Sequence, residues 1–220
     1  MDFAALLPLS IVSIIFFSLF IFTGIRSYKR RFKLNYDLRN TFPYELNYHT
    51  KFFDNIVPNI FLVLSIACSI VIYIFFDVKN LIGVNVFILI SGIFLSLLSF
   101  ALVFVDLKYL RTHIALMVFT SVFSFGLGAS NAIGNFVKWQ NTQNIYYIIL
   151  CVICGGFALI SFAVMMNPKL SLNIKMDSKI DENGKEILIR PKYIVLAFSE
   201  WLLIISLYIN QLLLVLSQIK

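Results

Sequence analysis

Apolar positions along this chain neither alternate nor gather into a helical stripe; they run on without interruption. Five stretches of about 20 or more residues contain no charged residue. A sixth, "YIVLAFSEWLLIISLYINQLLLVL", is interrupted only by Glu200. At about 1.5 Å per residue, such a run spans a hydrocarbon core about 30 Å thick. The pattern places spans at 3–25, 56–76, 81–105, 114–137, 145–166 and 193–215. Backbone groups in lipid must be satisfied within their own segment, so each span reads as a helix. The expectation is an all-α integral membrane protein, with residues 1–220 forming one bundle of six transmembrane helices. The first span has no basic stretch before it and is followed by no small-residue cleavage site, so it reads as a span rather than a cleaved signal. No internal repeat relates the first three spans to the last three.

Charge then orients the chain. Of 18 Lys and Arg residues, only Lys79, Lys138 and Lys220 lie outside the three loops that follow the first, third and fifth spans. The positive-inside rule puts those three loops in the cytoplasm and both termini outside. Localisation is expected to be the cell membrane as a multi-pass protein, and the Ile, Phe, Lys and Asn richness fits an A+T-rich bacterial genome. Composition agrees with this class: 60% of residues are hydrophobic and 13% charged, outside the range of soluble domains. The net charge of +7 calls for no nucleic acid. Anionic lipid headgroups at a basic cytoplasmic rim, beside the bilayer itself, account for it.

Two loops are long enough to carry structure. Residues 26–55 interleave basic and aromatic side chains, as an interfacial segment does. Tyr28, Phe32 and Tyr36 recur at helical spacing, so the first helix is expected to run past the membrane. Pro43 then breaks it. Residues 167–192 are expected to hold a small cytoplasmic β-hairpin between helices 5 and 6, turning at Asn183-Gly184, a strong signal for a two-residue type I′ turn. That turn would pair Ile180 with Ile187 and Asp177 with Arg190. A lone hairpin is marginal in water, so a protein partner docking at 167–192 is a further expectation.

Motifs for catalysis, metals or cofactors are absent: there is no phosphate loop, nucleophile elbow or metal-ligand spacing. The chain therefore reads as a non-enzyme with no catalytic residue, no metal and no cofactor. Two weaker chemistries stand beside that reading. His113 with Asp106 or Thr112 could serve a membrane-rim lipid-modifying enzyme, against the simpler role of capping a span. Cys151-x-x-Cys154 could serve thiol redox chemistry, against simple packing beside Gly155 and Gly156, and the only other cysteine is Cys68.

The binding candidates lie on the fourth and sixth spans. Ser121, Ser124, Asn131 and Asn135 share one face of the fourth, which places that helix in the middle of the bundle. In the sixth, Tyr193, Glu200 and Gln211 fall along one line. Measured from Lys192, Glu200 lies about 12 Å deep, near the midplane. No span so bounded contains Lys, Arg or His, so Glu200 is expected to be neutral and to donate a hydrogen bond. An intramembrane acid points to function, here a proton or cation site, against a structural hydrogen bond. The leading expectation is a small-solute transport or binding component using these two helices. The alternative is a non-catalytic accessory or assembly protein that docks a partner through its cytoplasmic loops; the third is the membrane-rim lipid-modifying or thiol-redox enzyme.

Overall fold

The computed structural model describes residues 3–47, 55–76, 82–167, 177–180, 186–189 and 191–219. Six helices are long and apolar enough to cross a membrane: α1 (Phe3–Phe32), α2 (Ile56–Phe75), α3 (Ile82–Leu102), α4 (Leu110–Thr142), α5 (Ile145–Met165) and α6 (Val195–Leu216). The chain is a multi-pass helical membrane protein. Its outward faces carry large apolar side chains such as Phe22, Phe87 and Val152, which only lipid covers at low cost.

One helix is enclosed by the others. α6 carries Ser199, Glu200, Ser206, Asn210 and Gln211, all buried, and none of these groups can face hydrocarbon without losing hydrogen bonds. The bundle therefore closes around α6: 72% of its apolar window is buried, against 28–44% for the other five helices. The expectation that α4 forms the middle is corrected accordingly, since α4 (39%) is a wall that packs on α3, α5 and α6. Around α6, Phe17 of α1 stacks on Tyr208 at 4.1 Å. The Ser65 hydroxyl of α2 meets that of Tyr208 at 2.9 Å.

Small residues set the closest approaches. A Cβ on Gly92 of α3 would lie 2.3 Å from the Tyr73 ring of α2, and one on Gly128 of α4 would lie 3.0 Å from the Ala158 backbone of α5. Only glycine lets these helix pairs touch as they do.

Both ends of α6 are tied to other elements. At the far end, Lys138 Nζ donates to Ser217 O at 2.6 Å. Tyr146 Oη donates to Leu216 O at 3.0 Å, and Tyr147 Oη to Ile219 O at 2.7 Å. These donors satisfy carbonyls that a helix end otherwise leaves open. At the near end, Ile194 N donates to Arg39 O at 2.9 Å.

The 26–55 segment differs from the expected interfacial loop. α1 does continue to Phe32, but the chain then folds inward, and the short 3-10 turn Pro43–Asn47 is buried throughout. Phe42 N donates to Glu45 Oε1 at 3.0 Å, which closes the turn on itself. Tyr36 Oη donates to Phe42 O at 2.8 Å, and Trp201 Nε1 donates to Thr41 O at 2.9 Å. Arg31 donates to Leu46 O. Burial pushes the Tyr36 phenol well above its ordinary pKa, so it remains a neutral donor. Outside this buried unit, Arg39 bonds hold the exposed Asp37 carboxyl below the usual carboxylate range.

Between α5 and α6, strands β1 (Asp177–Ile180) and β2 (Glu186–Ile189) pair antiparallel, Asp177 with Ile189 and Ile180 with Glu186. The expected pairing of Ile180 with Ile187 is therefore wrong by one residue. A two-residue turn at Asn183-Gly184 goes with the other register. Residues 181–185 and Arg190 lie outside the described residues.

Candidate functional site

Glu200 has a partner that the span boundaries concealed. α4 begins at Leu110 rather than at 114, so His113 lies one turn inside it and is fully buried. Its Nε2 is 2.6 Å from Glu200 Oε1, with both side chains at 0% exposure. The expectation that no span holds a basic partner is thereby corrected. So is the depth: α6 starts at Val195, which puts Glu200 about 8 Å along the helix, beneath one end of the bundle rather than at its middle.

Proton positions follow from the chemistry of the partners. His113 Nδ1 is 2.8 Å from Val105 O. A carbonyl can only accept, so Nδ1 must carry a hydrogen. The contact between Nε2 and Oε1 then holds a single proton, whichever side it resides on. Either the Glu200 hydroxyl donates to Nε2, or Nε2–H donates to the carboxylate. Both forms are neutral overall, so the proton can change sides without adding net charge to the interior. Losing it leaves a bare carboxylate facing a lone pair; gaining a second leaves a buried cation.

The pair is roofed by the buried turn. The ring of Phe42 stands edge-on to that of His113 at 6.3 Å, and the ring of Tyr44 at 5.8 Å. Glu45 lies within electrostatic range of Glu200. Glu200 Oε2 has no hydrogen-bond partner among the described residues.

From this pair a polar seam runs between α4 and α6, which lie parallel. His113 meets Glu200; Ser124 Oγ meets Ser206 Oγ at 2.7 Å and Ser161 Oγ of α5 at 2.7 Å. Asn131 Nδ2 donates to Asn210 O at 3.2 Å, and Lys138 closes the far end at Ser217. The amide orientations are fixed, because each nitrogen faces a carbonyl: Asn135 donates to Asn131 O and Asn210 to Ser206 O. The opposite atoms, Asn131 Oδ1, Asn135 Oδ1 and Asn210 Oδ1, are buried acceptors without a donor among the described residues. Native interiors rarely leave such atoms unpaired.

The other sequence candidates sort differently. Ser121 is buried but bonds back to Met117 O of its own helix. Gln211 Nε2 reaches Ser10 Oγ of α1 at 3.3 Å, on another side of α6 from the seam, and its Oε1 has no partner among the described residues. Tyr193 precedes α6, is half exposed and packs on Phe198, so the line through Tyr193, Glu200 and Gln211 is not one site. Asp106 accepts from Lys108 N, while the bonds of the His113 ring go to Val105 and Glu200. Cys154 packs in an apolar cluster with Leu150 and Leu213. Sequence reasoning set His113 at the membrane rim and missed both its pairing with Glu200 and the turn above it. The signal was present in the helical spacing of His113, Met117, Ser121 and Ser124, which carries that face of the helix back to His113.

Fold and site together define a multi-pass membrane protein with an internal ionisable pair at the head of a polar seam. No protein-family model, curated protein or solved structure matches the chain.

Proposed function

We propose that the chain is a proton-linked transport component for a small polar solute, with His113 and Glu200 as its proton-exchange site and the α4–α6 seam as the contact surface for the solute. The observation that carries the reading is the row of donor-free buried oxygens farther along the same α4–α6 seam that a one-proton pair heads. Such oxygens suit species that bring their own hydrogens, such as water, ammonium-type groups or hydroxyl-rich solutes. Structural glue between helices can be made from Ser or Asn at lower desolvation cost than from an acid.

Vesicles enclosing a pH-sensitive dye test it. Under an imposed potassium diffusion potential, the wild type is expected to pass protons faster than protein-free vesicles. Glu200→Gln and His113→Gln keep the size of the site but cannot exchange its proton, and should slow that flux by about 100-fold. Flux in Glu200→Gln equal to wild type would remove the pair from the mechanism. Wild-type vesicles as tight as empty ones would favour the second reading, a non-catalytic accessory protein that docks a partner at 167–192. The lone pair of strands there, marginal without a support, favours it.

The reading includes an orientation, with residues 26–55, 106–109 and 167–192 in the cytoplasm and both termini outside. Impermeant thiol reagents applied from outside should label a cysteine placed beside Lys138 and spare one placed at Lys179. The reverse pattern inverts the orientation.

A further inference from the structure

Where α1 leaves the bundle it forms a groove with the start of α2. A cavity of about 370 Å³ is lined there by Phe22, Arg26, Ser27 and Arg30 of α1 and by Ile56 and Val57 of α2. A second cavity of about 400 Å³ shares Arg26 and Arg30 and reaches Lys29 and Lys33. Arg26 and Arg30 lie one helical turn apart on one face. Neither has a carboxylate partner among the described residues, where the ion pairs are Arg39 with Asp37 and His113 with Glu200. Facing them is the first turn of α2, the positive end of that helix. Asn55 does not cap it; its side chain is turned inward, donating to Leu46 O at 3.1 Å and Asn47 Oδ1 at 2.7 Å. Two guanidiniums without a carboxylate partner among the described residues, beside a helix start that Asn55 leaves without a side-chain cap, describe a place for a phosphate-type anion.

The remaining wall identifies the anion's carrier. Phe22 is 64% exposed, Val57 54% and Ile56 41%, on the stretch of α1 and α2 that runs from the charged rim towards the bundle. A soluble phosphate has no use for such a wall, whereas an acyl chain does.

We propose that the α1–α2 groove binds the headgroup of an anionic phospholipid, with Arg26 and Arg30 on its phosphate and Phe22 and Val57 against its acyl chains. This differs from the diffuse attraction of a basic rim in having one lipid per chain and fixed ligands. It is also independent of proton exchange at His113 and Glu200.

Native mass spectrometry of the full chain in mild detergent, titrated with phosphatidylglycerol or phosphatidylcholine, tests it. One phosphatidylglycerol is expected to bind before any further lipid, and ahead of phosphatidylcholine. The double variant Arg26→Gln/Arg30→Gln should weaken that first binding about 25-fold, from about fivefold per cationic residue. Lys108→Gln/Arg111→Gln removes the same charge elsewhere on the rim and should leave it unchanged. Equal weakening by both double variants, or equal binding of the two lipids, would overturn the site. Displacement of phosphatidylglycerol by an equal concentration of inorganic phosphate would assign the groove to free phosphate and overturn the lipid assignment.

Discussion

Glu200→Leu is expected to cost about 3–5 kcal/mol of stability, the range for removing one member of a buried ionic pair. His113 would keep its bond to Val105 O, but its Nε2 would face a methyl group with no water to replace the acid. His113→Leu should cost a similar amount, stranding the carboxyl beneath Phe42 and Tyr44. The double variant His113→Leu/Glu200→Leu should be markedly more stable than the sum of the two implies, because neither polar group is then left alone. Glu200→Gln should be nearly silent in stability, since its amide can donate to Nε2 in place of the acid. Unfolding of the four variants in a common detergent measures the cycle. Additive losses would mean that the two side chains do not act as a pair.

Trp201→Ala is expected to cost about 3–5 kcal/mol, the usual cost of emptying a large buried aromatic site. It should also release the turn above the pair. Trp201 is one of the largest fully buried side chains, and it is edge-on to Tyr36 at 6.1 Å while donating to Thr41 O. Trp201→Phe keeps most of the volume and loses only the donor, so about 1 kcal/mol is expected. The specific readout is a cysteine placed at Tyr44, which is buried in the wild type. Thiol reagents should reach it readily when Trp201 is Ala and slowly when it is Phe. A cysteine there that stays protected in the Ala variant would show that Arg31, Tyr36 and Asn55 hold the turn without the indole.

Long apolar runs, five without a charge and one broken only by Glu200, made the six helices legible, because a bilayer leaves a chain few other ways to bury so much apolar surface. The same rule misled at the boundaries. Lys108 and Arg111 suggested that the fourth span began beyond His113, yet a helix can carry a histidine one turn inside its end when a neighbouring helix supplies the partner. That partner is 87 residues away, and no spacing rule reaches so far. The face of Ser124, Asn131 and Asn135 was readable from helical periodicity, but not that it would meet α6 in parallel register. Residues 42–47 read as interfacial because aromatic residues among basic ones usually are; docking against His113 and Trp201 is a tertiary fact that local composition does not encode.

The bond from Trp201 to Thr41 spans 160 residues, which has a consequence for biosynthesis. At about 5–20 residues per second, a ribosome needs roughly 8–32 s to reach the indole after making its acceptor. Throughout that interval the 41–47 segment exists without His113 and then without α6, and its aromatic rings have nothing of their own chain to cover them. The most deeply enclosed of the six helices is also the last of them to be made, so it enters a membrane where the hydroxyls and amides that receive it are already in place. A nascent chain stopped before α6 should therefore present both an open polar groove and an undocked aromatic turn, the two features by which a quality-control protease in the membrane would recognise it as unfinished.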